Sequence, residues 1–176
     1  MTPVDGARTS FHEIATRLLP AHLQRLREAM RTPVPAATFL GATTASRVVR
    51  ERAGVESDFR GLYVFIEQGK PLYVGISRKV LSRLVQHVNA PSHFSASLAY
   101  RLACREHWPG GMPRGRKRAQ NMDDGGFLER FKDQQRRLSA MDVAFVQIDC
   151  DLELYLFEVY AAMQLGTGAL NSFRTH

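Results

Sequence analysis

"GLYVFIEQGKPLYVGIS", residues 61–77, decides the fold. Two short apolar runs flank Gln68-Gly69-Lys70-Pro71, and each carries a glycine and a tyrosine. β-branched and aromatic runs separated by a Gly/Pro tetrapeptide predict an antiparallel hairpin, with strands at 61–67 and 72–75. The first run opens Gly61-Leu62-Tyr63 and the second closes Tyr73-Val74-Gly75. The question is whether this is only a hairpin or one that presents two phenols to a substrate.

Outward from the hairpin the pattern becomes helical. Residues 10–31 read as an amphipathic helix: Ser10 suits the N-cap, Glu13 lies three residues on, and Ile14, Leu18, Leu23 and Leu26 recur at roughly helical spacing. Pro20 is placed to kink or split it. "TPVPAATF" (32–39) reads as a Pro-rich break and 43–52 as a short second helix, so 1–57 is expected to be a helical N-terminal extension. After the hairpin, helices are expected at 78–90, 95–107 and 127–140. The Gly- and Pro-rich segment 108–126 reads as a loop. "DVAFVQI" (142–148) alternates and predicts a strand, and 151–166 predicts an apolar helix ended by Gly166. The expected fold is α+β, a small, mostly antiparallel three-stranded sheet flanked by helices, carried by 58–176.

Composition narrows the function classes. A chain of 176 residues, 44% hydrophobic, can bury a core and is not generally disordered. Lys and Arg outnumber Asp and Glu 24 to 17, for a net charge of +7 and a pI near 9.9. That balance favours an anionic partner, nucleic acid being the commonest, although a basic protein without a polyanion partner has the same charge. Two cysteines, Cys104 and Cys150, make no disulfide framework. The first residues lack the apolar region of a signal peptide, and no apolar run nears the ~20 residues that span a bilayer. The expectation is a reduced, cytoplasmic protein that engages no membrane.

Several residues carry chemistry in their spacing. On helix 78–90, Val80, Leu81, Leu84, Val85 and Val88 fill one arc, and Arg83 and His87 stack beside it at its rim. A cation and an imidazole there can grip a phosphate or form a solvated edge. Between Leu154 and Gly166 the only charged residue is Glu158, whose helical neighbours are Leu154, Tyr155, Ala161 and Ala162. A carboxylate on an apolar face needs a cation, either an internal arginine such as Arg83 or a metal such as Mg²⁺, which takes one or two carboxylates with waters and phosphates. Asn171 either ties a turn or holds a functional loop. "PRGRKR" (113–118) offers Arg114, Arg116, Lys117 and Arg118 to a phosphate backbone, or is a solvated charge run. Cys104 and His107, with His87 and His93, lack the second ligand pair of a zinc site. No Walker loop, G-x-S-x-G or H-E-x-x-H occurs.

Taken together these residues resemble the GIY-YIG nuclease family over about 59–173. Gly61-Leu62-Tyr63 matches the first motif and Tyr73-Val74-Gly75 the second. Arg83 falls on the following helix, Glu158 on a later one and Asn171 near the end; Arg83-x₃-His87 is similar to the restriction-enzyme branch. Leu62 and Val74 replace isoleucines, and Ile76 stands where many relatives carry a lysine, a loss for which His87 or Lys79 is the candidate substitute. The stretch 93–140 is longer than in small relatives and reads as an insertion.

The resemblance implies a metal-dependent endonuclease that hydrolyses phosphodiesters in DNA. In that scheme Glu158 binds Mg²⁺ (or Mn²⁺). Tyr63 helps activate the water, and Tyr73 and His87 orient the water or Tyr63. Arg83 stabilises charge on the phosphate. One site cuts one strand, so double-strand cutting takes a homodimer or two successive events. The alternative is a nucleic-acid-binding module on the same fold that does not cut.

Overall fold

The computed structural model describes Val4 and residues 9–173, so residues 1–3 and 5–8 of the expected N-terminal extension lie outside the described residues. The fold of the described residues is α+β, with seven helices and a four-stranded antiparallel sheet of order β1-β4-β2-β3. The strands are β1 (Val34–Pro35), β2 (Gly61–Glu67), β3 (Lys70–Ser77) and β4 (Asp142–Gln147). The three expected strands are present. The fourth, β1, is a two-residue strand inside the segment expected to be a Pro-rich break.

The chain divides into two compact units, one formed by the described residues up to 34, 57–80 and from 142, the other by 35–56 and 81–141. In the first unit, helix α1 runs over 11–29. Ser10 caps it by accepting the Glu13 N–H at 3.2 Å. Its middle, Ile14–Leu18, is π-helical, with the Leu19 N–H donating to the Ile14 carbonyl. That wider turn directly precedes Pro20, which has no N–H to give, and the helix continues unbroken through Leu19–Ala29. The extra residue in the π turn also shifts the buried face. It falls on Ile14, Leu19, Leu23 and Leu26, with Leu19 in the place expected for Leu18, which is only partly buried.

This stripe packs with Leu62, Val64, Ile66 and Val74 of the hairpin, Ala144 and Val146 of β4, and Leu154, Phe157 and Ala161 of α7 (Asp151–Gln164). Helix α1 is therefore part of the sheet's own core. Helix α7 ends at Gly166, whose φ of 68° suits glycine. The Gly166 and Thr167 N–H groups return to the carbonyls of Met163 and Ala162, which closes the helix.

The second unit holds α2 (Arg47–Arg52), α3 (Val80–Asn89, apart from its first residue), α4 (Ser97–His107), α5 (Arg118–Met122) and α6 (Gly125–Ser139). Phe39, Leu84, Leu98, Phe127, Phe131 and Leu138 are buried there. The expected loop 108–126 contains α5. Helix α6 starts two residues earlier than expected because Asp124 caps it, accepting the Phe127 N–H at 3.2 Å. Among the described residues no helix is long and apolar enough to cross a membrane.

Candidate functional site

The hairpin turns at Gln68-Gly69, both at positive φ (51° and 76°), as a two-residue primed turn requires. Continued regularly, that turn would pair Val64 with Tyr73 and Tyr63 with Val74. The observed register differs: Ile66 pairs with Pro71, but Phe65 pairs with Tyr73, so Leu72 is an extra residue bulged out of β3. A one-residue shift moves every later side chain to the other face. The bulge therefore places Tyr73 on the same face as Tyr63 and sets Gly75 opposite Tyr63. β3 is an edge strand, where Pro71 and a bulge are tolerated.

The two tyrosine rings lie with centroids 6.3 Å apart, and Tyr63 also meets Phe65 edge-on at 6.1 Å. The Tyr63 phenol passes over Gly75: a Cβ at that glycine would come within 2.5 Å of Cζ and Oη. Gly61 has a different cause. A Cβ there would lie 2.1 Å from the Val146 carbonyl oxygen, so close approach of β4 requires glycine. Tyr63 is 1% exposed and Tyr73 is half-buried, so of the two side chains Tyr73 keeps the greater exposed surface.

Asn171 is buried against the outer edge of β3. Its Oδ1 accepts the Val74 N–H at 3.1 Å and its Nδ2 donates to the Val74 carbonyl at 2.8 Å. The side-chain amide thus replaces a strand partner for Val74, the residue between Tyr73 and Gly75. Glu158 is half-buried on α7, whose apolar stripe packs on the sheet face opposite the tyrosine rings. Ile76 packs toward that same apolar cluster. In this first unit the structure brings together Tyr63, Tyr73, Gly75 and Asn171, and carries Glu158 on the helix behind them.

Arg83 and His87 belong to the second unit. Arg83 is half-buried and donates to the Ser95 carbonyl (2.6 Å), Ser97 Oγ (2.8 Å) and Gln86 Oε1 (3.0 Å). His87 is not at a rim, as its helical position suggests, but 0% exposed. A helical wheel gives the direction of a side chain but not what packs over it. Burial, and then the positive charges of Arg83 and Arg101, hold the His87 pKa well below its ordinary value, so the imidazole is neutral at pH 7. Arg101 on α4 is a neighbour that the sequence pattern does not single out. Its separation of 14 residues from His87 carries no periodic signal.

The basic segment 113–118 is not uniform. Arg116 is tied inward: Nε donates to Asn121 Oδ1 (2.6 Å), Nη2 pairs with Asp124 (3.1 Å), and the guanidinium lies 5.2 Å from the Trp108 ring centre. Asn121, fully buried, donates in turn to Tyr100 Oη at 2.5 Å. Arg114, Lys117 and Arg118 are exposed.

Among the described residues no group of three or more His, Cys, Asp and Glu is placed to hold a metal ion. A single carboxylate still fits Mg²⁺, which takes one or two carboxylates and completes its shell with waters and phosphate oxygens. Glu158, flanked by buried Leu154, Ala161 and Ala162, is such a carboxylate. No family model, curated protein or solved structure matched this chain.

Proposed function

We propose that the chain adopts the GIY-YIG fold and is a Mg²⁺- or Mn²⁺-dependent endonuclease that hydrolyses phosphodiester bonds in DNA. One observation carries the reading. A single bulge at Leu72 brings the tyrosines of both motifs onto one face, seats Tyr63 on the motif glycine Gly75, and leaves Asn171 clamping the strand between them. A purely structural hairpin needs none of these coincidences.

Burial refines the roles. Tyr73, the less buried of the two, is assigned the attacking water, and the buried Tyr63 beside it serves as a proton relay. An unperturbed phenol ionises near 10, so the pair works by passing a proton rather than by standing ionised. Neutral His87 is an acceptor in the protonation state a base requires. Arg83 supplies positive charge for the phosphate, and Ser95 and Ser97 fix its guanidinium. Glu158 would hold the metal, which when bound neutralises charge on the phosphate and the leaving oxygen.

A second reading, a nucleic-acid-binding module that does not cut, is favoured by a specific observation: Tyr63 and His87, two of the groups assigned to proton handling, are closed to solvent. Incubation of the protein with labelled linear and branched DNA and RNA, with and without Mn²⁺, separates the two. Metal-dependent cleavage that is lost in a folded Glu158→Gln variant supports the nuclease. Salt-dependent binding without cleavage of any substrate supports the module.

A further inference from the structure

The assigned roles leave unused an aromatic and cationic cluster in the second unit. Phe94, in the connection between α3 and α4, is 68% exposed. Single exposed apolar residues are ordinary, but this ring is the outer layer of a stack. His93 lies behind it with ring centres 4.2 Å apart and planes inclined 37°, and meets Tyr100 at 5.6 Å. The exposed Arg118 guanidinium lies over the Phe94 ring, 5.7 Å from its centroid, and over the Tyr100 ring at 4.9 Å. Partial burial and the nearby Arg118 lower the His93 pKa, so it backs the stack as a neutral ring. Exposed Arg114 and Lys117 precede Arg118 on the same segment.

We propose that this cluster is a stacking platform for an unpaired nucleobase: the exposed Phe94 ring and the Arg118 guanidinium that lies over it together take the face of the base, and Arg114 and Lys117 grip the flanking phosphates. An exposed ring packed on other rings beneath a guanidinium is an arrangement that binds single strands, because every base has a π-face and every linkage a charge. Phosphate alone would use the cations and leave the phenyl ring in water. In a duplex the base faces are covered, so the platform selects single-stranded or distorted nucleic acid. The inference rests on the nucleic-acid reading above but not on cleavage.

The test is a fluorescence-anisotropy titration in EDTA, at fixed salt, with three probes that carry the same dye through a flexible linker at the 5′ end: a single strand, the matched duplex, and a strand of the same length that is abasic at every position. Wild type is expected to bind the base-bearing strand more tightly than the abasic one. Phe94→Ala should weaken single-strand binding by about 5- to 150-fold, the range for loss of one stacked base. It should leave duplex and abasic binding unchanged, and Phe94→Trp should restore affinity. An equal affinity of Phe94→Ala and wild type for the single strand overturns the platform, as does equal binding of abasic and base-bearing strands. A wild type that shows the Phe94 dependence yet cuts nothing with metal rejects the nuclease reading alone. Failure to bind any of the three rejects both.

Discussion

The Tyr63 phenol lies directly over Gly75, so close that a methyl group on Gly75 would reach 2.5 Å from Oη and Cζ. The glycine of the second motif is therefore the seat of the tyrosine of the first. Gly75→Ala must displace a ring that is 1% exposed and has little room to move. It is expected to destabilise the protein by about 1–3 kcal/mol, as overpacking does. Gly61→Ala should cost more, because it meets the Val146 carbonyl at 2.1 Å and a strand backbone cannot rotate away. Denaturant midpoints of the two variants check the ranking, and an unchanged Gly75→Ala would mean that the ring is not confined.

Asn171 acts as a one-residue strand. Replacing it with Ala removes two hydrogen bonds and leaves both polar groups of Val74 without them at the sheet edge. With each net bond worth about 1 kcal/mol and an orphaned buried group more, a loss of about 2–4 kcal/mol is expected. Hydrogen exchange at the Val74 amide should accelerate in Asn171→Ala more than at the amides of β4. Equal acceleration in both strands would show global loosening instead of a broken clamp.

His87 gives a pH signature. Its folded pKa lies below the unfolded value near 6.5, so the unfolded chain binds the extra proton first. Its contribution to stability is complete above pH 6.5 and declines as pH falls toward the folded pKa, by at most about 1.4 kcal/mol per pH unit. Urea midpoints at pH 7.5 and 5.5 should differ more for wild type than for His87→Gln. A wild type equally stable at both values would contradict the neutral buried assignment.

Local features are legible in the sequence and tertiary ones are not. Turn residues and alternation reveal the hairpin, and Ser10 and Gly166 mark helix ends through their own chemistry. β1 leaves no such trace, because Val34–Pro35 is too short for a pattern and is a strand only by pairing with β4. Leu18 stands in the expected core stripe and Leu19 in the real one, because a π turn alters the helical period with no sequence signature beyond the nearby proline. The pairing of the tyrosines with a glycine is visible as an echo of motifs, but its cause, the Leu72 bulge, is a register event. His87 reads as a rim residue because periodicity cannot say what covers a helix.

The basic segment should separate into two functions. Arg116→Ala orphans the buried Asn121 acceptor and should lower stability by about 1–3 kcal/mol. The double variant Arg114→Ala, Lys117→Ala should melt like wild type. If both side chains touch phosphates of a duplex, the variant should reduce the slope of log affinity against log salt by up to about 0.9 for each phosphate that is no longer neutralised. An unchanged slope would make these two side chains merely solvated.

The two tyrosines distinguish the catalytic roles. Phe keeps each ring and its packing and removes only the hydroxyl. Read from the motifs alone, Tyr63 is the water-activating phenol and Tyr63→Phe should be the more damaging change. The proposed roles take the opposite order, on the ground that Tyr63 is 1% exposed while Tyr73 is half-buried. Tyr73→Phe is therefore expected to lose roughly the 10²–10⁴-fold of a positioned acid–base group, and Tyr63→Phe less. The melting temperature of Tyr73→Phe should barely move, since about 1 kcal/mol at most disappears with one hydrogen bond. Single-turnover cleavage rates with saturating Mn²⁺ measure both. A larger loss in Tyr63→Phe would mean that substrate binding opens the sealed ring to water. Normal cutting by both variants together with a folded, inactive His87→Gln would place the proton on the imidazole and reduce the tyrosine pair to sheet packing.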